Sequence, residues 1–195
     1  MSSMLTTAEV RWFGSGEVPG DVLQWFFGAL GDAGVQRFPP RTDRYVRMFA
    51  GGRVAAKLRE GKFEIKVKRR DLKELIVESN VTGKAQEWSK LGFPLPIAGS
   101  NVPSRLCLPV WKERALRRYT ECGSANLELT RILIGDQAWW TVNIEAAGTN
   151  RISSAETLDA CARSVLAAYG GSHLTSSHSY AYPDWLAALS QRSKR

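Results

Sequence analysis

Lys57 to Arg70 reads KLREGKFEIKVKRR, and an extended backbone sorts its residues onto two opposite faces. Phe63, Ile65 and Val67 take one side; Glu64, Lys66 and Lys68 take the other. Seven basic residues against two acidic ones leave this segment five positive charges, more than half of the +8 carried by all 195 residues. Lys57 and Arg59 share a face just upstream, and Glu60-Gly61-Lys62 has the composition of a hairpin corner. The pattern predicts a β-ribbon with one strongly cationic face, and a polyanion is its natural partner. Alternation alone also fits an ordinary hairpin whose charged face meets water.

Working outward, strand patterns dominate. Upstream, Ala8 to Phe13 places Glu9, Arg11 and Phe13 on one side and Val10 and Trp12 on the other. Pro19, then Val22, Trp25, Phe26, Ala29 and Leu30, predict a short amphipathic helix stopped by Gly31 and Gly34. Arg41 to Phe49 reads as a strand broken at Gly51-Gly52, a pair without the Lys-Ser/Thr of a phosphate loop. Downstream, Leu72 to Val77 suits a strand and Lys84 to Leu91 a helical turn or two around Trp88. Four prolines between Phe93 and Pro109 predict a surface connection. Runs from Trp111, around Leu127 to Leu133, and from Trp139 to Ala146 form an antiparallel meander. Ser153 with Glu156 is a capping box, and Leu158, Cys161, Val165, Leu166 and Tyr169 form the stripe of a helix ended by Gly170-Gly171.

Bulk properties bound the function. A hydrophobic content of 44% in 195 residues supports one cored domain, placed at 1–186, with 187–195 as a basic, frayed tail. Cys107, Cys122 and Cys161 are too few and too scattered for a disulfide framework or a CxxC metal site. His173 and His178 lack ligand spacing, and Trp88, Trp139 and Trp140 read as packing residues. Without a leader-like start or a long apolar run, the chain reads as cytoplasmic and not membrane-bound. A pI near 9.7 suits nucleic acid, acidic lipid or phosphorylated small molecules equally.

The series RTDRYV, KLREGKFEIKVK, Lys112-Glu113-Arg114, the ELT at Glu128, WWTVNIEA and SYAYPDWL resembles the CYTH group of triphosphate tunnel proteins, which includes adenylyl cyclases of one class, thiamine triphosphatases and polyphosphatases. The resemblance covers most of the chain. It implies an α+β fold, an eight-stranded antiparallel β-barrel open at both ends, lined by Lys, Arg and Glu, with helices covering the apolar outside. The family's first strand carries ExExK, two metal-binding glutamates and a substrate-facing lysine. Here the match is Glu9, Arg11 and Phe13, so a cation replaces one carboxylate and an apolar ring replaces the lysine.

On the cationic side, Lys57, Arg59, Lys66, Lys68, Lys112, Arg114 and Arg118 form a cradle for phosphate oxygens, guanidinium forks binding in pairs and ammonium groups as point charges. Hydrolysis further requires Mg2+ or Mn2+, for which Glu9, Glu128 and Glu145, with Glu64 as a fourth, are the candidate ligands. Three expectations follow: a metal-dependent phosphohydrolase acting on a triphosphate or polyphosphate, a non-catalytic binder of a phosphorylated ligand, and a nucleic-acid binder using an external basic surface and the QRSKR tail.

Overall fold

A computed structural model describes residues 5–29, 34–47, 52–77, 80–95, 103, 105–120 and 123–192. Ten strands run β1 (Leu5–Ser15), β2 (Gln36–Val46), β3 (Val54–Arg59), β4 (Lys62–Asp71), β5 (Leu75–Val77), β6 (Val81–Gly83), β7 (Ala85–Pro94), β8 (Cys107–Tyr119), β9 (Ser124–Ile134) and β10 (Gln137–Ala147). Eight of them close into an antiparallel barrel in the order β1-β10-β9-β8-β2-β3-β4-β7; β5 and β6 form a separate hairpin. The helices are α1 (Gly20–Leu23), continued by a π-helical turn over Gln24–Ala29, α2 (Ser154–Leu166) and α3 (Tyr182–Arg192). The fold is an α+β barrel with helices outside it and at one end. Among the described residues, no helix is long and apolar enough to cross a membrane.

Closure follows from the alternation. Ala8, Val10 and Trp12 of β1, Leu127 and Leu129 of β9, and Val142, Ile144 and Ala146 of β10 point outward into one apolar core with Leu158, Cys161, Ala162 and Val165 of α2. The capping box predicted for α2 forms, Ser153 accepting from the Glu156 amide while the Glu156 carboxylate accepts from Ser153 N. The β3–β4 corner is as tight as its sequence: Glu60 (φ 48°) and Gly61 (φ 72°) both take the left-handed backbone of a two-residue hairpin turn. Cys107 and Cys161 are buried and in no disulfide, while Cys122 lies outside the described residues.

Several local expectations change. Lys84 to Leu91 is not helical: Ala85 to Leu91 lies in β7, because its backbone is claimed on one side by β1 and on the other by β4. The helices cover the outside unevenly: α2 packs on β1, β9 and β10, whereas Val67 on the outer face of β4 is 39% exposed. Residues 187–192 of the stretch read as a tail belong to α3, which runs to Arg192, and Leu189 packs against the apolar cluster at the barrel end. Residues 193–195 of the tail lie outside the described residues.

Candidate functional site

The inward faces enclose a cavity of about 440 Å³. Its walls carry Arg11 from β1, Arg41 from β2, Lys57 and Arg59 from β3, Lys66 from β4, Lys90 from β7, and Lys112 and Arg114 from β8. Asp43, Glu64, Glu128 and Glu145 line it too, and Glu9 reaches Lys66 from β1. Among the described residues, eight cationic side chains thus face five carboxylates, a surplus of positive charge. Trp88, predicted as packing, is fully buried and also lines the cavity. Five predicted phosphate-binding residues, Lys57, Arg59, Lys66, Lys112 and Arg114, come together here.

Two do not. Lys68 occupies an inward position but sits toward the end that α3 closes, where its ammonium meets Asp71 at 3.1 Å. Arg118 stands beyond Leu116 at the opposite rim, exposed to solvent. Alternation identified their side of the strand correctly; depth along the barrel removed them from the cavity. Conversely, Arg41, Asp43 and Lys90 belong to the site and were not singled out from sequence. Arg41 and Asp43 were marked only by the i, i+2 spacing within RTDRYV, and Lys90 was hidden by the helical reading of its segment.

The deep half is built around Asp43, which has no exposed surface. Lys112 (3.0 Å), Lys57 (3.2 Å) and Arg41 (3.2 Å) converge on its carboxylate. Burial alone would raise this carboxyl's pKa, but Lys112 and Lys57, then Arg41, hold it well below the usual range. Lys112 also donates to the Tyr45 hydroxyl at 2.7 Å and lies over the rings of Tyr45 and Tyr182. Burial pulls the Lys112 ammonium down to about 7, with Asp43 opposing that shift and Lys57 and Arg11 reinforcing it. Lys66 goes the other way: burial would lower it, yet Glu9 and Glu145 hold it above its ordinary value.

The carboxylates proposed as metal ligands are held by cations. Glu9 accepts from Lys66 at 2.7 Å. Glu145 accepts from Thr7 at 2.9 Å and from Lys90. Glu128 accepts from Arg114 at 2.8 Å and from Thr130, with Arg11 3.8 Å away. Glu64 is taken by Lys57 and Arg59. Arg11 is the physical obstacle: with the Asn143 amide turned to satisfy both its neighbours, Arg11 Nη2 donates to its oxygen, so the guanidinium lies over its β10 partner Asn143 and beside Glu128. Among the described residues, no group of three His, Cys, Asp or Glu is placed to hold a metal ion. The residues present do not fit Mg2+ or Mn2+, which require several oxygen ligands free of competing positive charge.

One end of the barrel is shut. Phe13, Tyr45, Val110 and Ile132 point inward there and pack against Tyr182, Trp185 and Leu186 of α3. Phe13 stacks on Trp185 with centroids 4.2 Å apart, and Tyr45 stacks on Tyr182 at 4.7 Å. The approach to α3 is strapped to β1 by Ser179 Oγ and Tyr180 N, both donating to the Arg11 carbonyl. The bore is therefore closed at the α3 end, unlike the tunnel open at both ends that the resemblance implies.

Compared with models of known protein families the chain matches none, and a comparison with curated proteins gives no match either.

Proposed function

We propose that this barrel binds a compact, multiply charged phosphoanion and does so without a divalent metal. The observation that carries the reading is the cavity lining itself: among the described residues, eight basic side chains against five acidic ones, enclosed by a barrel wall. A terminal phosphate carries about −1.5 to −2 near neutral pH, so a di- or triphosphate would neutralise the surplus. The likeness to triphosphate tunnel proteins supports the same ligand class. The engagement of all the candidate metal ligands by lysine and arginine favours binding over hydrolysis, because phosphoryl transfer needs charge neutralisation at the transferred group and an oriented water.

Titration calorimetry with tripolyphosphate in a chelator tests this. Binding is expected, and Arg59→Ala with Lys66→Ala should weaken it by about 100-fold, as two charge-assisted hydrogen-bonding groups are lost. Adding Mg2+ should neither be required for binding nor produce phosphate release. Affinity unchanged by the double substitution, or binding seen only with metal, would overturn the reading.

A further inference from the structure

The outer face of β3, β4 and β7 lies across the barrel from the wall that α2 seals. Lys57, Glu64, Lys66 and Lys90 line the cavity, so alternation sends the residues between them outward. Register then sets these side by side: Phe63 pairs with Phe93, Ile65 with Leu91, and Val67 with Val54. With rows two residues apart and strands about 4.8 Å apart, they form one apolar face of roughly 14 Å by 10 Å, not a scatter of single side chains. Val67 and Phe93 are its most open members, 39% and 42% exposed. A spanning segment announces itself in sequence as a long apolar run, whereas a sheet face carries its apolar residues at every second position and leaves no run.

Arginines fringe the end of this face nearest α3. Arg69 and Arg70 follow Val67 at the irregularity in β4, both well exposed, and Arg53 donates to the Arg69 carbonyl. Arg44 pairs with Leu58 and shares its outward side, because Asp43 and Tyr45 on either side of it line the cavity. Outside the cavity these three strands carry two acids: Asp71, met by Lys68, and Glu87, which holds Arg69 and Arg70 and accepts from Ser154. Among the described residues, the apolar face is therefore bordered by a surplus of positive charge.

Charge and composition together select what covers it. A second copy would bring like arginines together between chains that each carry +8. Single-stranded nucleic acid needs stacking rings, and beyond Phe63 and Phe93 this face is aliphatic. A bilayer surface rich in acidic lipid satisfies both halves: apolar side chains enter the boundary between headgroups and acyl chains, and guanidinium groups meet the lipid phosphates. We propose that the outer face of β3, β4 and β7 docks the barrel on an anionic membrane surface, without spanning it. This goes beyond the anion-binding reading and uses none of the cavity residues, so either can fail alone.

The test is co-sedimentation of the intact chain, at physiological ionic strength, with vesicles of phosphatidylcholine alone or with about one-third phosphatidylserine. Expected is partitioning to the anionic vesicles, at least tenfold weaker to the neutral ones. Phe93→Ser with Val67→Ser should weaken it about tenfold, as should Arg69→Gln with Arg70→Gln. Ile152→Ser, at an equally exposed apolar residue before α2, and the cavity variant Arg59→Ala with Lys66→Ala should leave it unchanged. These positions are exposed, and unchanged denaturation midpoints in the Phe93/Val67 and Arg69/Arg70 variants would show that the fold is kept. No partitioning to anionic vesicles, equal partitioning to neutral ones, or partitioning indifferent to the Phe93 and Val67 pair would overturn the proposal. So would a dimer in sedimentation equilibrium that the same pair dissociates, since a second copy would then own the face.

Discussion

The two walls of the barrel are built differently. Strands β1, β9 and β10 are apolar outside and sealed by α2: Val10, Trp12, Leu127, Val142 and Ile144 have no exposed surface. On the opposite wall, β3, β4 and the end of β7 show Phe63 and Ile65 half-buried and Phe93 42% exposed. The sealed wall carries Glu9, Glu128, Glu145, Asn143 and Arg11; the open wall carries Lys57, Arg59, Lys66 and Lys90. Three of the five carboxylates thus sit on the sealed wall and, with Glu64 the exception, the open wall presents cations on long side chains; on the proposed reading these lysines and arginines exchange carboxylate partners for phosphate.

Stability measurements break this comparison most forcefully. Trp12 is fully buried, and its indole donates to the Thr82 carbonyl at 2.8 Å. Trp12→Ala should cost about 4 kcal/mol in chemical denaturation. Val67→Ala on the bare wall should cost roughly 0.5 kcal/mol or less. Similar losses at the two positions would mean that the walls do not differ in packing.

Inside the cavity the next largest effect is expected at Asp43. Asp43→Asn leaves Lys112, Lys57 and Arg41 without their shared counter-charge, and removing one partner of a buried ionic cluster costs about 3 kcal/mol. Added tripolyphosphate should raise the melting temperature of the variant more than that of the parent chain, because the anion replaces the lost carboxylate. An equal shift in both would place the ligand away from the floor.

Lys112 supplies a smaller, pH-dependent effect. Its pKa in the folded chain is about 7, against 10.5 for the ordinary group, so between these values the folded state holds fewer protons than the unfolded one, and ligand-free stability rises with pH across that window. Ligand binding has the opposite slope. An anion beside Lys112 favours the ammonium, so affinity should fall as pH rises from about 7 to 9, by up to about tenfold per unit, with proton uptake on binding. The groups facing Lys112 are Asp43 and Tyr45 from β2, Lys57 from β3, Arg11 from β1, Glu128 from β9 and Tyr182 from α3. Calorimetry in buffers of different ionisation heat measures the uptake, and Lys112→Met should flatten the profile. An unchanged slope in that variant assigns the titration to another of these groups.

How legible each wall was depended on how local its signals are. In β1, the inward Glu9, Arg11 and Phe13 and outward Val10 and Trp12 could be read directly, because period-two alternation survives burial on both faces. The β3–β4 hairpin was equally clear, since Glu60-Gly61 supplies its own turn. Gln86 to Leu91 was misread because glutamine, glutamate and lysine favour helix intrinsically, and both faces of this strand are partly polar: Gln86 donates to Asp71, while Glu87 accepts from Ser154 of α2. Only long-range pairing with β1 and β4 makes it extended. Asp43 escaped notice because nothing near it in sequence says that cations from β3 and β8 will meet there. The closed end was written in two distant places, Phe13 and the YPDW of α3, whose complementarity appears only when the rings stack.

The smallest expected effect separates alternation from depth. Lys68 and Arg118 lie on the inward phase of β4 and β8, so a reading by alternation alone gives them the same weight as Lys66 and Arg114. The fold gives them none: Lys68 is engaged by Asp71 near the α3 end, and Arg118 stands in solvent at the rim, where an exposed charge is screened within about 8 Å at physiological salt. Lys68→Ala and Arg118→Ala should each change tripolyphosphate affinity by less than about twofold at that ionic strength, against roughly tenfold for Lys66→Ala. A loss at Lys68 comparable to that at Lys66 would mean that the ligand passes through the α3 end, and the difference between the open and closed mouths would disappear with it.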